Sequence, residues 1–597
     1  VPDYNSTLRI EADGFQSREV ALRGNSRITV RLHEDSYRSF YDNAATPFEV
    51  VPEYYLTHAA TSIQTGGSWD APPETPDNYL QGKVAGLNAV RRSGTPTMGA
   101  NLFMRGYSSL YATNQPLVII DGVYFENASF GGSLIAGYYN NPLAMVDVKD
   151  IENITVIKDG APTYGSKGAN GVILITTNRA KEEATKIDLG IYGGANFVPS
   201  NIPVMNAEDY RIYLSEMLQS KGLTYQDISQ LPYMNDDKSN PGYYRNHYNN
   251  NWQNNVFNKS NSENIYLKIT GGDNIAKYAL SIGYLNTGSV INNTDMVRYN
   301  TRFNADLNLS KKLIANAGLS FTYNEQQLKD MGASFYTNPI YNGLIKAPFF
   351  PIHEVSDKGI ESPSLADRDS FAVSNPVVLI QNMQASSRNY RFTGAVSFRY
   401  AFNEHLELGT TLSIMLDKIR QAYFIPERGI ANDTLDFAIA KNRSGAGVTR
   451  RFSFYNDTRL SYRNVYNSVH SFSANAGIRY IKSNFEDDNI QSANSATDDL
   501  TGVGYGLKEL RRIGGTLVEW AWVNTYANVN YDLYKKYFLS FNVSADASSR
   551  FGENAADKSV LRLGDNNYPL FPSLSAAWLL SSERFLSGNQ SIDLLKI

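Results

Sequence analysis

From Lys186 onward, apolar and polar residues alternate in long runs. Leu313, Ala315, Ala317, Leu319, Phe321 and Tyr323 fall on one face of such a run, with Asn316, Gly318, Ser320 and Thr322 on the other. Tyr390, Phe392, Val396, Phe398, Tyr400 and Phe402 likewise stand opposite Arg391, Thr393, Ser397 and Arg399. A period of two marks a strand with two unlike faces. About twelve such strands are predicted, over 186–197, 264–271, 277–286, 299–310, 313–323, 390–402, 406–416, 451–462, 469–481, 519–531, 537–547 and 571–580. Most run 10 to 13 residues. Ordinary strands cluster near ~5–6 residues, whereas tilted strands that cross a bilayer need roughly 9–11.

The connections carry the orientation. Short turns join pairs at 271–276, 310–312, 403–405, 463–468 and 532–536. The connections between pairs are mostly long, at 198–263, 324–389, 417–450, 482–518 and 548–570, so that short and long alternate. Outer-membrane barrels have this asymmetry, with short periplasmic turns and long extracellular loops. A soluble sandwich shares the alternation but has no reason to keep its long loops on one side. Twelve strands left open would expose backbone edges to lipid. Ile592–Ile597 starts another alternating run, and a barrel that holds a plug has about 22 strands. About ten further strands are therefore expected in the complete protein. The predicted fold is an all-β transmembrane barrel with an internal α/β plug and part of an N-terminal β-sandwich domain.

Ahead of the alternating region the pattern differs. Residues 78–182 are glycine-rich and carry three β-branched runs, Leu117–Gly122, Ile151–Lys158 and Gly171–Thr177, expected as covered strands of a compact plug. Residues 36–77, with Pro47, Pro52, Pro72, Pro73, Pro76 and Gly66-Gly67, are expected as a linker. Residues 1–35 alternate at Leu8–Ala12 and Ile28–Leu32 around Asp13-Gly14 and are expected as the end of a small β domain. The barrel is expected to fill 183–597. Val1-Pro2-Asp3-Tyr4 shows no signal-peptide pattern, so the chain is expected to be processed or partial.

Composition narrows the function. Lys+Arg is 55 and Asp+Glu is 59, a formal charge of −4, which excludes a strongly basic nucleic-acid binder. Charged residues make up 19%, below the ~25% of a typical soluble domain, and Tyr contributes 40 residues suited to a membrane–water boundary. There is no cysteine, which excludes thiolate chemistry, and six histidines leave little room for a metal site. Mean hydropathy is negative, but alternating barrel strands average to a neutral score.

Several segments carry a family resemblance. Leu80–Leu87 (LQGKVAGL) is similar to the LQGKVAGV opening of the plug in SusC-like TonB-dependent transporters. Phe103–Ser109 resembles their IRG-x-SS element, Asn114–Val123 their N-x-PL-x-VIDGV signature, and Asp150–Asp159 their DIESIEVLKD. Tyr164–Thr177 resembles YGSRGANGVILITT, Asp546–Gly552 resembles DGSSRFG, and Phe571–Trp578 resembles FPSVSLAW. The N-terminal piece is similar to the end of a carboxypeptidase-regulatory-like domain. Two departures stand out. The loop 158–165 is about two residues shorter than KDASATAIYG, and Glu49–Tyr55 matches the family's EVVVVGYG-like stretch poorly, with Pro52 removing a strand donor.

The resemblance implies an importer in the outer membrane of a Bacteroidetes-type bacterium. A SusD-like surface lipoprotein would lie over its mouth, and the TonB complex would pull on the chain ahead of the plug. The substrates expected are oligosaccharides or oligopeptides, with no cofactor, metal or nucleic-acid partner. A second reading is a non-energised barrel serving as a structural subunit of a larger outer-membrane assembly, and a third is a non-membrane adhesin. The plug motif supplies Gly82, Gly86, Gly106, Gly122, Gly165, Gly168 and Gly171, which allow tight turns and close approach or simply serve the fold. It also supplies Asp121, and Arg105, Glu152, Lys158 and Asp159 are expected to pair with lumen-facing charges or to stay solvated. Tyr107, Tyr111, Tyr124, Phe125, Phe130, Tyr138 and Tyr139 are candidates for facing ligand, or for packing on the wall. Enzyme motifs are missing: His353-Glu354 lacks the second histidine of H-E-x-x-H, there is no G-x-S-x-G elbow, and Gly165–Gly171 is no P-loop.

Overall fold

A computed structural model describes residues 7–12, 15–21, 30, 32, 43–65, 75–127, 132–180, 183–198, 200–332, 334, 336–435, 437–467, 469–550, 561–563, 566–586, 592 and 594–597. Two bodies position the functional site. The first is a five-stranded sheet in the order β1 (Ala60–Gln64), β4 (Ile151–Ile157), β5 (Val172–Thr177), β2 (Leu117–Ile120) and β3 (Val123–Phe125). β5 and β2 run parallel, and the other pairs are antiparallel. All four residues of Leu117–Ile120 are buried, which is why the run reads as continuously apolar rather than alternating. Val118, Ile154, Val156 and Ile173 form the centre of its core.

The sheet corrects one boundary. Residues 36–77 were expected as a linker, yet β1 lies inside that range and pairs with β4 from Asn153↔Gln64 to Ile157↔Ala60. Its polar alternation, Thr61-Ser62-Ile63-Gln64, hides it, because Thr61 is buried at a sheet edge where side chains bond Asn153 and Thr155 through Ser62. At the N-terminus, Thr7–Ala12 pairs with Phe15–Ala21 as a hairpin. Asp13, Gly14, Ile28, Thr29 and Arg31 lie outside the described residues.

The second body is a twelve-stranded antiparallel sheet in sequence order. Its strands are β6 (Glu183–Asn196), β7 (Ser260–Gly272), β8 (Ala276–Gly288), β9 (Asp295–Asn308), β10 (Leu313–Gln327), β11 (Gln384–Ala401), β12 (Leu406–Ile425), β13 (Arg443–Tyr466), β14 (His470–Ala493), β15 (Arg512–Leu533), β16 (Tyr537–Ser548) and β17 (Leu570–Trp578). Each contains most of one predicted segment. Several run further: β13 and β14 are each 24 residues long. Past the apolar band the outward positions become charged, as in the Arg450–Glu486 (2.9 Å) and Lys482–Glu519 (2.6 Å) pairs. The hydropathy contrast fades there while backbone pairing continues. One connection on the long-loop side, 289–294, is short, so the strict alternation of long and short fails at that place. Ile597 exchanges two backbone hydrogen bonds with Trp578 (2.7 and 2.9 Å), on the free edge of β17.

The two faces of this wall differ as a barrel requires. Leu319, Phe321 and Phe398 point outward and are 44%, 46% and 39% exposed, whereas Arg298, Asn304, Thr322 and Arg479 point inward and are buried against the plug. Tyr284, Tyr299, Tyr323 and Tyr390 stand side by side across β8 to β11, with ring centroids 5.3, 6.3 and 4.8 Å apart. Near the short turns lie Tyr400–Phe402, Tyr462–Phe472 and Tyr537–Trp578. From Tyr390 to Tyr400 is ten residues of β11, or ~25 Å of height at ~3.3 Å per residue and ~40° tilt. That equals the apolar band of an outer-membrane barrel, bounded by aromatic girdles. Leu319→Arg is therefore expected to cost about 2–4 kcal/mol in a bilayer, and Tyr323→Arg, in the girdle, about 0–1. Denaturant unfolding in lipid vesicles reads both, and equal costs at the two positions would contradict a lipid-facing wall.

The long loops are packed bodies. Trp252, Phe349, Phe350 and Val377 form a core with Tyr210 and Tyr233, and Trp252 Nε1 donates to the Ala347 carbonyl (3.0 Å). Helices Pro339–Ile345 and Pro376–Gln381 each begin with an asparagine cap followed by proline, Asn338-Pro339 and Asn375-Pro376. The asparagine satisfies free N–H groups and the proline needs none.

Candidate functional site at the plug–wall interface

The plug meets the wall through polar seams and through two buried apolar clusters, Met98 and Ile135 among Leu328, Leu379 and Ile425, and Val123 among Tyr455, Ile481, Trp520 and Trp522. A 3-10 turn, Pro142–Met145, capped by Asn141, turns its carbonyls toward the strands. Arg391 donates to Pro142 O (3.2 Å), Arg298 to Ala144 O (3.1 Å) and Thr322 Oγ1 to Met145 O (2.9 Å). Arg298 also pairs with Asp147 at 2.8 Å, with side-chain exposures of 2% and 4%. Asp150 accepts from Tyr266 Oη (2.9 Å) and Ser281 Oγ (2.5 Å), and Arg302 stands 3.8 Å away. Burial pushes the Asp150 carboxyl above its usual range, and Arg302 opposes that rise.

A second seam forms at Tyr164–Gly168. Asp546 of β16 accepts from Ser166 N and Ser166 Oγ, both at 2.6 Å, and from Asn524 Nδ2 at 2.7 Å. Gly165 makes this approach possible. Its φ is +60°, and a Cβ there would stand 1.9 Å from an Asp546 carboxylate oxygen. Two segments singled out by their motifs thus bind each other. Arg479 donates to Thr163 O (2.6 Å) and lies over the Tyr164 ring at 4.3 Å. Lys167 sits over Trp520 at 4.3 Å, and burial lowers its pKa. A third seam joins Asn304 to Thr177 (2.9 Å) and to the Asn178 carbonyl (2.8 Å), with Arg179 paired to Asp306.

The motif charges lie in different surroundings. Arg105 and Asp159 bond each other at 2.8 and 3.2 Å and are about half exposed, so that pair closes within the plug. The backbone N–H of Lys158 donates to the Ala59 carbonyl and the Glu152 carbonyl accepts from the Thr65 N–H, which ties β4 to the chain around β1. Asp121 does reach the wall, 3.6 Å from Arg302, while accepting from Thr177. The main bridging charges are ones not singled out as site residues from the sequence: Asp147, Asp150 and Arg179 on the plug, and Arg298, Arg302, Arg391 and Arg479 on the wall. The signal was a lone arginine on the polar face of an alternating strand, as at Arg391. Gly82, Gly86, Gly106, Gly122 and Gly171 all take positive φ, and Gly168 packs on the Gly160 carbonyl.

Among the described residues, the six candidate aromatics lie in different surroundings. Phe125 is in the plug core, under the Arg391 guanidinium at 4.5 Å. Tyr138 is buried, bonds Gln326 of the wall, and has its pKa pushed up to about 12 by burial. Tyr139 lies under Arg92 at 4.0 Å, and Tyr124 donates to Glu126 at 3.1 Å. Tyr107 (68%) and Tyr111 (99%) are exposed. Phe130 lies outside the described residues. Tyr138 and Tyr139 look alike in sequence, but the phenol of Tyr138 meets a hydrogen-bonding wall residue, which composition cannot reveal.

Residues 56–172 match the family model described as TonB-dependent Receptor Plug Domain. TonB-dependent receptor P26 of Formosa agariphila is 25% identical over 600 residues, covering 98% of this chain and 54% of the relative. TonB-dependent receptor SusC of Bacteroides thetaiotaomicron is 25% identical over 556 residues, covering 87% of this chain and 49% of the relative. The chain thus spans about half the length of the curated relatives it matches. Among solved structures, the RagAB peptide importer in its open-open state superposes with a TM-score of 0.72 at 19% identity, covering 89% of this chain and 58% of that one. The ferric citrate transporter FecA in its unliganded form gives a TM-score of 0.52 at 10% identity, covering 89% and 61%. Residues 56–172 thus carry a TonB-dependent receptor plug domain, and the chain as a whole is similar to SusC-like TonB-dependent receptors, with a plug packed against the strands of a β-barrel wall.

Proposed function

We propose that the complete protein imports oligosaccharides or oligopeptides, gated by the plug. A SusD-like surface lipoprotein would cap its extracellular mouth, and the TonB complex would supply the pull. Residues 78–182 serve as the moving plug on this reading. The chain ahead of β1, which is itself a strand of the plug sheet, is the tether through which force arrives, and 1–35 are the end of a small upstream domain. The carrying observation is the chemistry of the seams. Opening a polar interface exchanges protein hydrogen bonds for water hydrogen bonds, at a net ~0.5–1.5 kcal/mol each. A plug sealed by apolar packing alone would resist extraction far more strongly, and among the described residues such packing joins plug to wall around Ile135 and Val123 beside the polar seams. The named activity of RagAB, peptide import, supports the oligopeptide half of the reading.

A structural subunit of a larger outer-membrane assembly is the second reading, and the segment before the plug favours it. Val50–Pro52 pairs back on Asn43–Ala45, Phe48 stacks on Tyr526 at 5.5 Å, Glu49 pairs with Arg463 at 3.4 Å, and Tyr55 packs on Phe538 at 5.0 Å. A partner strand would have to displace these contacts.

A covalent lock separates the two. These 597 residues hold no cysteine, so Ser166→Cys with Asp546→Cys, whose native side chains meet at 2.6 Å, places one candidate cross-link between plug and wall. Cells carrying the oxidised full-length protein are expected to lose uptake of fluorescent oligopeptides and oligosaccharides by about tenfold or more and to regain it on reduction. Undiminished uptake with the cross-link formed removes the gated importer.

A further inference from the structure

One patch of the outward wall sets like charges against each other. Arg388 of β11 stands directly opposite Arg420 of β12, and Lys418 of β12 directly opposite Arg450 of β13. Lys418 and Arg420 are two residues apart on one strand, so all four cations share one face. Like charges directly opposite each other destabilise a sheet. The carboxylates on this face stand at the flanks. Glu325 of β10 takes Arg388 at 2.8 Å, and Glu486 and Asp488 of β14 take Arg450 at 2.9 and 3.5 Å. The centre has no carboxylate: the outward neighbours of Lys418 and Arg420 along and across the strands are Tyr390, Arg388, Arg450, Val448, Leu416 and Ala422. Both side chains are exposed, and neither makes an ion pair or a hydrogen bond among the described residues.

The height of the patch decides what meets it. Lys418 continues the row of Tyr284, Tyr299, Tyr323 and Tyr390, the girdle where lipid headgroups begin. Toward the short turns the next outward residues are Phe392, Leu416 and Phe452, in the apolar band. Lysine and arginine at such a boundary lay their stems on apolar surface and reach headgroup phosphates. Toward the long loops the next outward residues are small, Ser386, Ala422 and Ala446. Together with Thr501–Val503 they line a groove of 800 Å³, within the ~300–1,000 Å³ of ordinary ligand pockets.

We propose that this patch binds an outer-leaflet lipid whose headgroup is a phosphorylated sugar. The phosphate lies between Lys418 and Arg420, where the guanidinium fork matches two of its oxygens. The acyl chains lie over Leu416 and Phe452, and the sugar occupies the groove above Ala422. A phospholipid with a small headgroup would reach the cations and leave the groove empty. The site is on the outer surface of the wall, so it does not depend on what passes through the lumen.

Purified full-length protein, stripped of lipid in detergent, is mixed with monophosphoryl lipid A, its unphosphorylated analogue or dioleoylphosphatidylglycerol, and the retained lipid is read by native mass spectrometry. Lipid A is expected to be retained about tenfold or more better than either of the others. Lys418→Gln with Arg420→Gln is expected to lower that retention by about tenfold or more, whereas Lys418→Arg with Arg420→Lys keeps both charges and the retention. The glutamine pair removes two opposed like-charge pairs and is expected to unfold no earlier than the parent in lipid-free detergent, which separates loss of lipid from loss of fold. Equal retention of the unphosphorylated analogue would mean apolar adhesion alone. Equal retention of phosphatidylglycerol would mean a site for any anionic headgroup, and displacement by inorganic phosphate in millimolar excess would mean a free-anion site. Each of these overturns the proposal, as does unchanged retention in the glutamine pair.

Discussion

Arg298→Met is expected to loosen the plug's seat by about 3–5 kcal/mol, the cost of leaving one partner of a buried ion pair uncompensated. Asp147 loses the guanidinium at 2.8 Å, and the Ala144 carbonyl loses its donor at 3.1 Å, in a place that admits almost no solvent. The methionine itself fills the volume and brings no polar group that needs a partner. The charge on the plug carries the cost. Arg298→Met combined with Asp147→Asn is therefore expected to recover most of the loss. Asparagine keeps an oxygen for the Lys149 N–H that Asp147 caps at 2.9 Å. Hydrogen exchange over 142–150 in the detergent-solubilised protein reads the effect: protection falls by about 10²- to 5 × 10³-fold in the single variant and returns in the double. Additive losses would show that the pair does not couple plug to wall.

The barrel was legible because each wall strand separates two solvents. Leu319 and Phe398 face lipid, and Ser320 and Arg399 do not, so a period of two persists for the height of a membrane. It stopped being legible where that contrast ends: the upper halves of β13 and β14 are paired backbone with charge outside, and sequence gives them no period. β1 escaped because its Thr-Ser-Ile-Gln run resembles a linker until Asn153 and Thr155 are placed beside it. At the site, the motifs located Asp546 and Tyr164–Gly168 as separate segments, 380 residues apart between Ser166 and Asp546. Nothing local says that one binds the other. The Arg105–Asp159 pair shows the converse. Both lie in quoted motifs, and their opposite charges find each other across one face of the plug before either can reach the wall.

Asp546→Ala is expected to cost about 3–5 kcal/mol of plug docking, because one fully buried carboxylate holds three donors and a bond to a charged group is worth about 1.5–3 kcal/mol. Ser166 N, Ser166 Oγ and Asn524 Nδ2 all lose their acceptor. Gly165→Ala is expected to cost at least as much, for two separable reasons. The backbone at φ +60° and ψ −148° is a conformation that side chains resist by about 1–3 kcal/mol. The new Cβ would also collide with the carboxylate at 1.9 Å. In an Asp546→Ala background the collision is gone and only the backbone strain remains. The two changes together should therefore cost clearly less than their sum, by about 2 kcal/mol or more. Exchange protection of residues 160–171, followed in each single variant and in the pair, measures that coupling. Strict additivity would mean that the glycine serves its own turn and not the approach of the wall.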